Sequence, residues 1–433
     1  MKRIHHVLLI ALLFSSCNKI RDFIPKQPAI PEFNKTLGGT ADDVARSVIP
    51  ALDGGYIMAG YTESINGDVS GNHGFNDAWV VHLNKRGEIL WQRALGGSDY
   101  DVANFITHTP DGGYILAGGT DSNDGDVSGQ HGNGDAWVVK LNPQGGIQWQ
   151  RALGGSSFDA ADAVIPALDG GFVMAGHTSS NDGDVSGLHG SRDAWVVRLD
   201  NRGNIQWQKT LGGSGAEIAH SISTSLDGGY LISGYTESND GDVSGYHGGR
   251  DAWVVKLDRD GGIQWQRALG GSGYDIAFSH STTPDGGYIL AGRTDGNDGD
   301  VSGQHGNGDA WIVRLDKNGY IQWQKTLGGS AFDQAISITN AWKSGFILAG
   351  QTRSNDGDVS GNHGLNDAWV VKLNPQGAIL WQKTLGGPNS DGANAISRSL
   401  YSGYIMAGST QGDELLDEDD EGLTDAWVVT LND

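Results

Sequence analysis

The sequence predicts an all-β fold, a seven-bladed β-propeller with four antiparallel strands per blade, and three observations carry that prediction. First, Asp-Ala-Trp begins at Asp77, Asp135, Asp193, Asp251, Asp309, Asp367 and Asp425, every interval being 58 residues. Leu-Gly-Gly recurs with the same interval from Leu37 to Leu385, and a fixed period of this size marks a repeat architecture. Second, each unit reads as four short strands between turn signals. Third, the two ends of the chain hold complementary parts of one unit.

The first copy shows the elements in order: DVARSVIPAL (43–52), YIMAGYT (56–62), AWVVHLN (78–84) and EILWQRAL (88–95). Asp-Gly-Gly punctuates the first turn in five copies. The third turn is short, as in NPQGG, where glycine accepts the positive φ of a bulged hairpin. The second connection is a loop of some 15 residues. Strand three is apolar on both faces apart from one position (His82, Lys140, Arg198), as a strand between packed sheets would be. Strand four carries Lys or Arg in every copy, from Lys35 and Arg93 to Lys383, which suits an outer edge that must not pair with another edge.

The last copy stops at DAWVVTLND without its fourth strand, while FNKTLGGT (33–40) aligns with WQKTLGGS (323–330). A linear stack has no reason to divide a unit in this way. A ring does, because one blade shared by both ends closes it.

At 433 residues the chain holds 69 glycines but also 14 tryptophans and regular apolar runs, so a packed core is expected rather than disorder. Its formal net charge of −23 repels phosphate backbones and argues against nucleic acid as a partner. The opening MKRIHHVLLIALLFSSC has a basic start and an apolar core too short to span a bilayer, the pattern of a targeting signal. Phe14-Ser15-Ser16-Cys17 resembles a bacterial lipobox. That resemblance implies a lipoprotein signal peptide at 1–16, acylation of Cys17, and an outer-membrane lipoprotein facing the cell surface or the periplasm. The alternative is an ordinary signal peptide with an incidental cysteine. With no other cysteine the fold has no internal disulfide. Residues 17–32, with Pro25, Pro28 and Pro31, read as a stiff tether before the propeller at 33–433.

The run LGGSxxD…DGGY…AGxT…SNDGDVSGxHG…DAWVV…GxIxWQ is similar to that of the bacterial seven-bladed β-propeller repeat proteins, many of them secreted or lipid-anchored. The likeness spans residues 33–433. It implies the fold and brings no reaction with it.

The long loop poses a choice. In the second copy Asp121, Asn123, Asp124 and Asp126 are oxygen donors of the kind calcium takes. Against this, the glycine sits one place early, no bidentate Glu follows, and the first position varies as far as Arg353. The favoured reading is a staple, in which short polar side chains bond nearby backbone N–H groups. The histidines (His73, His131, His189, His247, His305, His363) and the Asp-Ala-Trp tryptophans are given structural roles, the latter in packing between blades. The seventh loop differs, with seven acids between Asp413 and Glu421. It is a solvated acidic loop, or a cation site built from Asp417, Asp419 and Glu421.

Specificity is sought where the copies differ. An acid opens strand one in every copy (Asp43, Asp101, Asp159, Glu217, Asp275, Asp333, Asp391), which suggests a bond to the adjoining glycine turn. Three residues on, the copies diverge to Arg46, Asn104, Asp162, His220, Phe278, Ile336 and Asn394. This set, polar on one side and apolar on the other, is the expected ligand site. Tyr100, Phe158, Tyr274 and Phe332 add aromatic surface at the same end. The expected function is a non-catalytic, surface-anchored, monomeric binding module for a glycan or protein partner, needing no cofactor, with calcium as an open option. A polysaccharide hydrolase or lyase using Asp162 and His220 beside Arg46 is the alternative, and a purely structural scaffold is a third.

Overall fold

A computed structural model describes residues 30–400, 402–412 and 423–433. Its regular structure there is entirely β, arranged as seven four-stranded antiparallel sheets. In blade one the order from the channel outward is Asp43–Pro50, Tyr56–Thr62, Asp77–Leu83 and Ile89–Leu95. The next five blades repeat it.

The ring closes as the chain ends predict. Asn34–Leu37 forms the outer strand of the seventh blade, pairing antiparallel with Thr424–Leu431, with Lys35 opposite Val428 and Thr36 opposite Trp427. The Trp427 indole N–H donates to Asn34 Oδ1, where other blades use a glutamine. Apolar side chains from both ends (Leu37, Val48, Trp79, Ile405, Val428) share one core.

The tryptophans do pack between blades. Trp137 of blade two lies among Ile57, Ala78 and Val80 of blade one, and Trp195 stands among Ile115, Ala117 and Val138 of blade two. Each is fixed by polarity as well as volume. Trp79 Nε1–H donates to Gln92 Oε1 at 2.9 Å, and the Gln92 amide donates on to the Ser70 carbonyl at 3.0 Å.

In blades two to six the lone polar residue of strand three turns out to be an ion-pair partner. Arg198 bonds Asp169 at 2.7 Å and Lys256 bonds Asp227 at 2.9 Å, each carboxylate lying in the blade's own first turn. In blade six the turn acid is replaced by Lys343, and Lys372 instead pairs with Asp433 of blade seven.

Candidate functional site

Two kinds of residue meet at the long-loop end of the ring. The constant kind forms the staple. Asp43 Oδ2 accepts from the Gly39 N–H at 2.8 Å, as Asp101 does from Gly97 at 2.7 Å, so the uniform acids do bind the glycine turn. The long loop grips the same turn from outside. Asp124 accepts from Ser98 N–H at 2.7 Å, and the Asp126 N–H donates to the Gly96 carbonyl at 2.8 Å. Gly125, at φ +61°, rests so close to the Gly96 carbonyl that a Cβ there would lie 2.4 Å from its oxygen. Asn123 is exposed, and burial together with the charges of Asp99, Asp101 and Asp135 raises Asp121 above the usual carboxylate value. Among the described residues no three His, Cys, Asp or Glu side chains gather as a cation shell requires. Cys17, Asp417, Asp419 and Glu421 lie outside the described residues.

Each loop histidine closes the staple. His73 Nδ1 lies 2.6 Å from Asp77 Oδ2, and the same pair recurs in the five following blades. Each histidine thus holds to its own blade, and His131 also comes within 4.0 Å of Asp184 in the next. Grooves of about 400 Å³ also repeat at blade junctions, lined by Ser70, His73, Gln92 and Arg93 at one and by Ser128, His131, Gln150 and Arg151 at the next. Their sameness makes them products of the repeat.

The variable kind lines the channel. Every inner strand carries a register shift against its neighbour, between Ala45 and Ser47 in blade one and between Ala219 and Ser221 in blade four. In all seven blades the residue inside the shift is the variable one: Arg46, Asn104, Asp162, His220, Phe278, Ile336 and Asn394. A bulge leaves its extra residue out of the ladder and re-aims its side chain. Here that device brings all seven to one cavity of about 300 Å³.

Polar groups there are held in place. Arg46 donates to Asn104 Oδ1, and its guanidinium lies 5.0 Å from the Tyr61 ring centre. Asn104 donates to the Ala161 carbonyl at 3.0 Å, and Asn394 to that of Ala45 at 2.9 Å. Asp162 faces His177 Nδ1 at 3.3 Å. Burial pushes the Asp162 carboxyl up, but the His177 hydrogen bond and the nearby Arg46 charge outweigh it and hold the group below its ordinary value. Burial lowers His220, only partly offset by Asp162, so its imidazole is neutral at pH 7. Phe278 and Ile336 form the apolar wall, Phe278 lying 5.7 Å from the His220 ring.

A second tier escaped the sequence reading. Just before the threonine near the end of strand two stand Tyr61, Gly119, His177, Tyr235, Arg293, Gln351 and Ser409, again different in almost every copy. Three of them touch the bulge residues: Tyr61 at Arg46, His177 at Asp162, and Tyr235 at His220. They lead up to the predicted aromatic rim. Phe158 lies 5.7 Å from His177, Arg250 bridges Tyr235 and Tyr274, and Arg293 and Arg353 flank Phe332. Tyr100 stacks on exposed Phe75 at 5.2 Å. The comparison of copies that found the first tier would have found this one.

No family model matches the chain. A 187-residue stretch is 26% identical to the regulatory protein FlaEY of Caulobacter vibrioides, covering 40% of this chain and 20% of that protein. Among solved structures, the WD40 domain of Neurospora crassa Pan2 is similar over 94% of this chain and 98% of its own, with a TM-score of 0.51 at 10% identity. The WD40 β-propeller domain of Doa1 is similar over 91% and 95%, with a TM-score of 0.50 at 12% identity. At these identities the likeness is one of fold: the chain is a seven-bladed β-propeller.

Proposed function

We propose that this protein is a non-catalytic binding module, held at the outer membrane by acylated Cys17, that takes an uncharged polar group of a glycan or protein partner into the channel mouth. The observation that carries the reading is the convergence of the seven bulge residues, the variable ones in an otherwise uniform chain, on one cavity of about 300 Å³. Arg46 and Asp162 offset each other's charge across it and His220 is neutral, so the cavity favours a neutral occupant. Asn104 and Asn394 orient that occupant, and Phe278 and Ile336 cover its apolar side. The aromatic rim adds area for a larger partner to rest on.

The hydrolase or lyase reading shares these residues, since Asp162 and His220 line the same cavity. It asks Asp162 to give up a proton, yet the neighbours of Asp162 keep it ionised. That imbalance favours binding over chemistry.

The test is direct. Full-length protein is screened on glycan and envelope-protein arrays, with and without calcium, beside Arg46→Ala and Asp162→Asn. Binding by the wild type that falls at least tenfold in both variants, with melting temperatures unchanged, is the expected result. Wild-type protein that binds nothing, or variants that bind as well as wild type, would remove the channel from consideration. Polysaccharide cleavage lost in Asp162→Asn would establish the enzyme instead.

A further inference from the structure

The face opposite the long loops has its own pattern, which the binding reading does not use. The tip of the turn between strands one and two is apolar in all seven blades: Leu52, Pro110, Leu168, Leu226, Pro284, Trp342 and Leu400. Four of these tips are leucines that stand in solvent, exposed by 69% at Leu52, 76% at Leu168, 79% at Leu226 and 44% at Leu400. Because these turns join the inner strands, the side chains form a collar around the lower mouth of the channel.

Acids also stand beside the collar. In blades two to five the acid following each tip pairs with the strand-three base behind it, Lys140 with Asp111, Arg198 with Asp169, Lys256 with Asp227 and Arg314 with Asp285, and in blade one His82 lies 3.2 Å from Asp53; the bases are buried and these acids are at least half exposed. Farther out, the third turns expose Lys85, Arg86, Arg202, Arg259 and Lys317. Of the acids in those turns, Asp200, Asp258 and Asp316 accept from backbone N–H groups of their own turn, while Glu88 and Asp260 stand exposed beside the bases. Lys343, 89% exposed in the first turn of blade six, lies 3.9 Å from Asp433. This face is therefore apolar at its centre, with bases and acids mixed around it.

The chain also enters the fold here. Ile30 is buried, and its Cδ1 packs against Gly403, in the same turn as Leu400. Pro31 and Phe33 carbonyls accept from Thr430 near the end of the closing strand. A tether that carried a lipid on an upstream residue would thus leave from the collar side.

We infer that this collar is a membrane-contact surface, seated on the headgroup region of a phospholipid bilayer with Leu52, Leu168, Leu226 and Leu400 inserted. Exposed apolar side chains on the side of the ring from which the tether leaves give such a contact its means of insertion. The inference rests on the anchor reading only for bringing the protein to the bilayer, and it sets the ligand channel facing away from the membrane.

The test uses full-length protein recovered from a bacterial host, with mass spectrometry of its N-terminal peptide. Leu226→Cys on the collar and Leu365→Cys on the long-loop face are each labelled with an environment-sensitive fluorophore. Each is then mixed with phosphatidylethanolamine–phosphatidylglycerol vesicles carrying brominated chains. The expected result is that the Leu226→Cys label loses roughly half its emission or more while the Leu365→Cys label is unchanged. Leu52→Ser/Leu168→Ser introduced beside Leu226→Cys should reduce that quenching, with the melting temperature retained. Acylated, vesicle-bound protein with no quenching at the collar overturns the inference and leaves the anchor standing. Unacylated protein still quenched at the collar does the reverse. A collar label that responds to an envelope-protein extract and not to vesicles assigns the surface to a protein and also overturns it.

Discussion

The staple and the channel occupy the same end of every blade and obey opposite rules. In the staple, His189 and Asp193 meet at 2.6 Å, as do the equivalent pairs two blades before and one blade after. In the channel a few ångströms inward, the corresponding positions hold an arginine, a carboxylate, an imidazole or a phenyl ring. The difference lies in the backbone. Staple residues are buried against the turn and the ladder, so a change of side chain takes the acceptor from turn N–H groups such as those of Gly39 and Gly97. Bulge residues stand outside the ladder, so the backbone tolerates any of them. A repeat protein can thus vary its binding residues without disturbing the unit that it copies.

The sharpest way to break this comparison is to truncate one constant residue and one channel residue. Trp195 is fully buried between blades two and three and holds Gln208 through its indole N–H at 2.9 Å. Trp195→Ala is expected to cost about 3–5 kcal/mol in urea unfolding. Phe278→Ala, a half-buried bulge residue, should cost about 1 kcal/mol or less and leave the unfolding slope unchanged. Equal losses would mean that the channel is as structural as the staple. Next in size, Asp193→Ala strips the acceptor from His189 and its backbone N–H, with an expected loss of about 1–3 kcal/mol. Asp162→Asn should fall below that range.

The same contrast governs what could be read from the residues alone. The 58-residue interval and the Phe33–Thr40 stretch made the ring and its closure legible, because strand pairing copies the sequence period directly. The divergence at Arg46, Asn104 and Asp162 was visible as a difference between copies. That these residues are bulged was not visible, since register is a property of two strands and depends on Ala59 and Gly60 facing Ser47 and Ala45. Tyr61, His177 and Tyr235 went unnoticed because strand two reads as core and most of it is buried. The pairs of Lys140 with Asp111 and Arg314 with Asp285 join residues 29 apart, a separation that no local pattern announces.

A smaller effect separates the two classes by pH. Burial, outweighing their hydrogen bonds, raises Asp43, Asp77, Asp101, Asp135, Asp251 and Asp309, and lifts Asp275 from 3.8 to about 6. An acid whose folded value is raised binds its proton more tightly in the native state. Its contribution is therefore greatest below pH 3.8 and is lost as pH rises towards 6. Melting temperature should climb as pH falls from 7 to about 5, and Asp275→Asn should flatten that rise while adding about 1 kcal/mol at pH 8. Asp162, lowered by its neighbours, works in the other direction and loses its contribution as pH falls below the usual carboxylate range. A melting curve that falls steadily from pH 7 to 5 would contradict the assignment of the staple acids.

The smallest expected change is the one on adding calcium. If the loop is a staple, its carboxylates are already engaged: Asp124 with Ser98, Asp182 with Ser156 and Asp240 with Ser214, each at 2.7 Å from a backbone N–H. Those bonds hold the three carboxyls below their usual value, so they are ionised at neutral pH without help from a metal. A cation would have to compete with them, and calcium at about 1 mM should leave the melting temperature where it was, since only a ligand that favours the native state raises it. A rise of several degrees would overturn this reading of the six uniform loops. The acidic seventh loop is separated from them by Asp417→Asn/Asp419→Asn/Glu421→Gln: a rise that survives these substitutions belongs to the uniform loops, and one that vanishes belongs to the seventh.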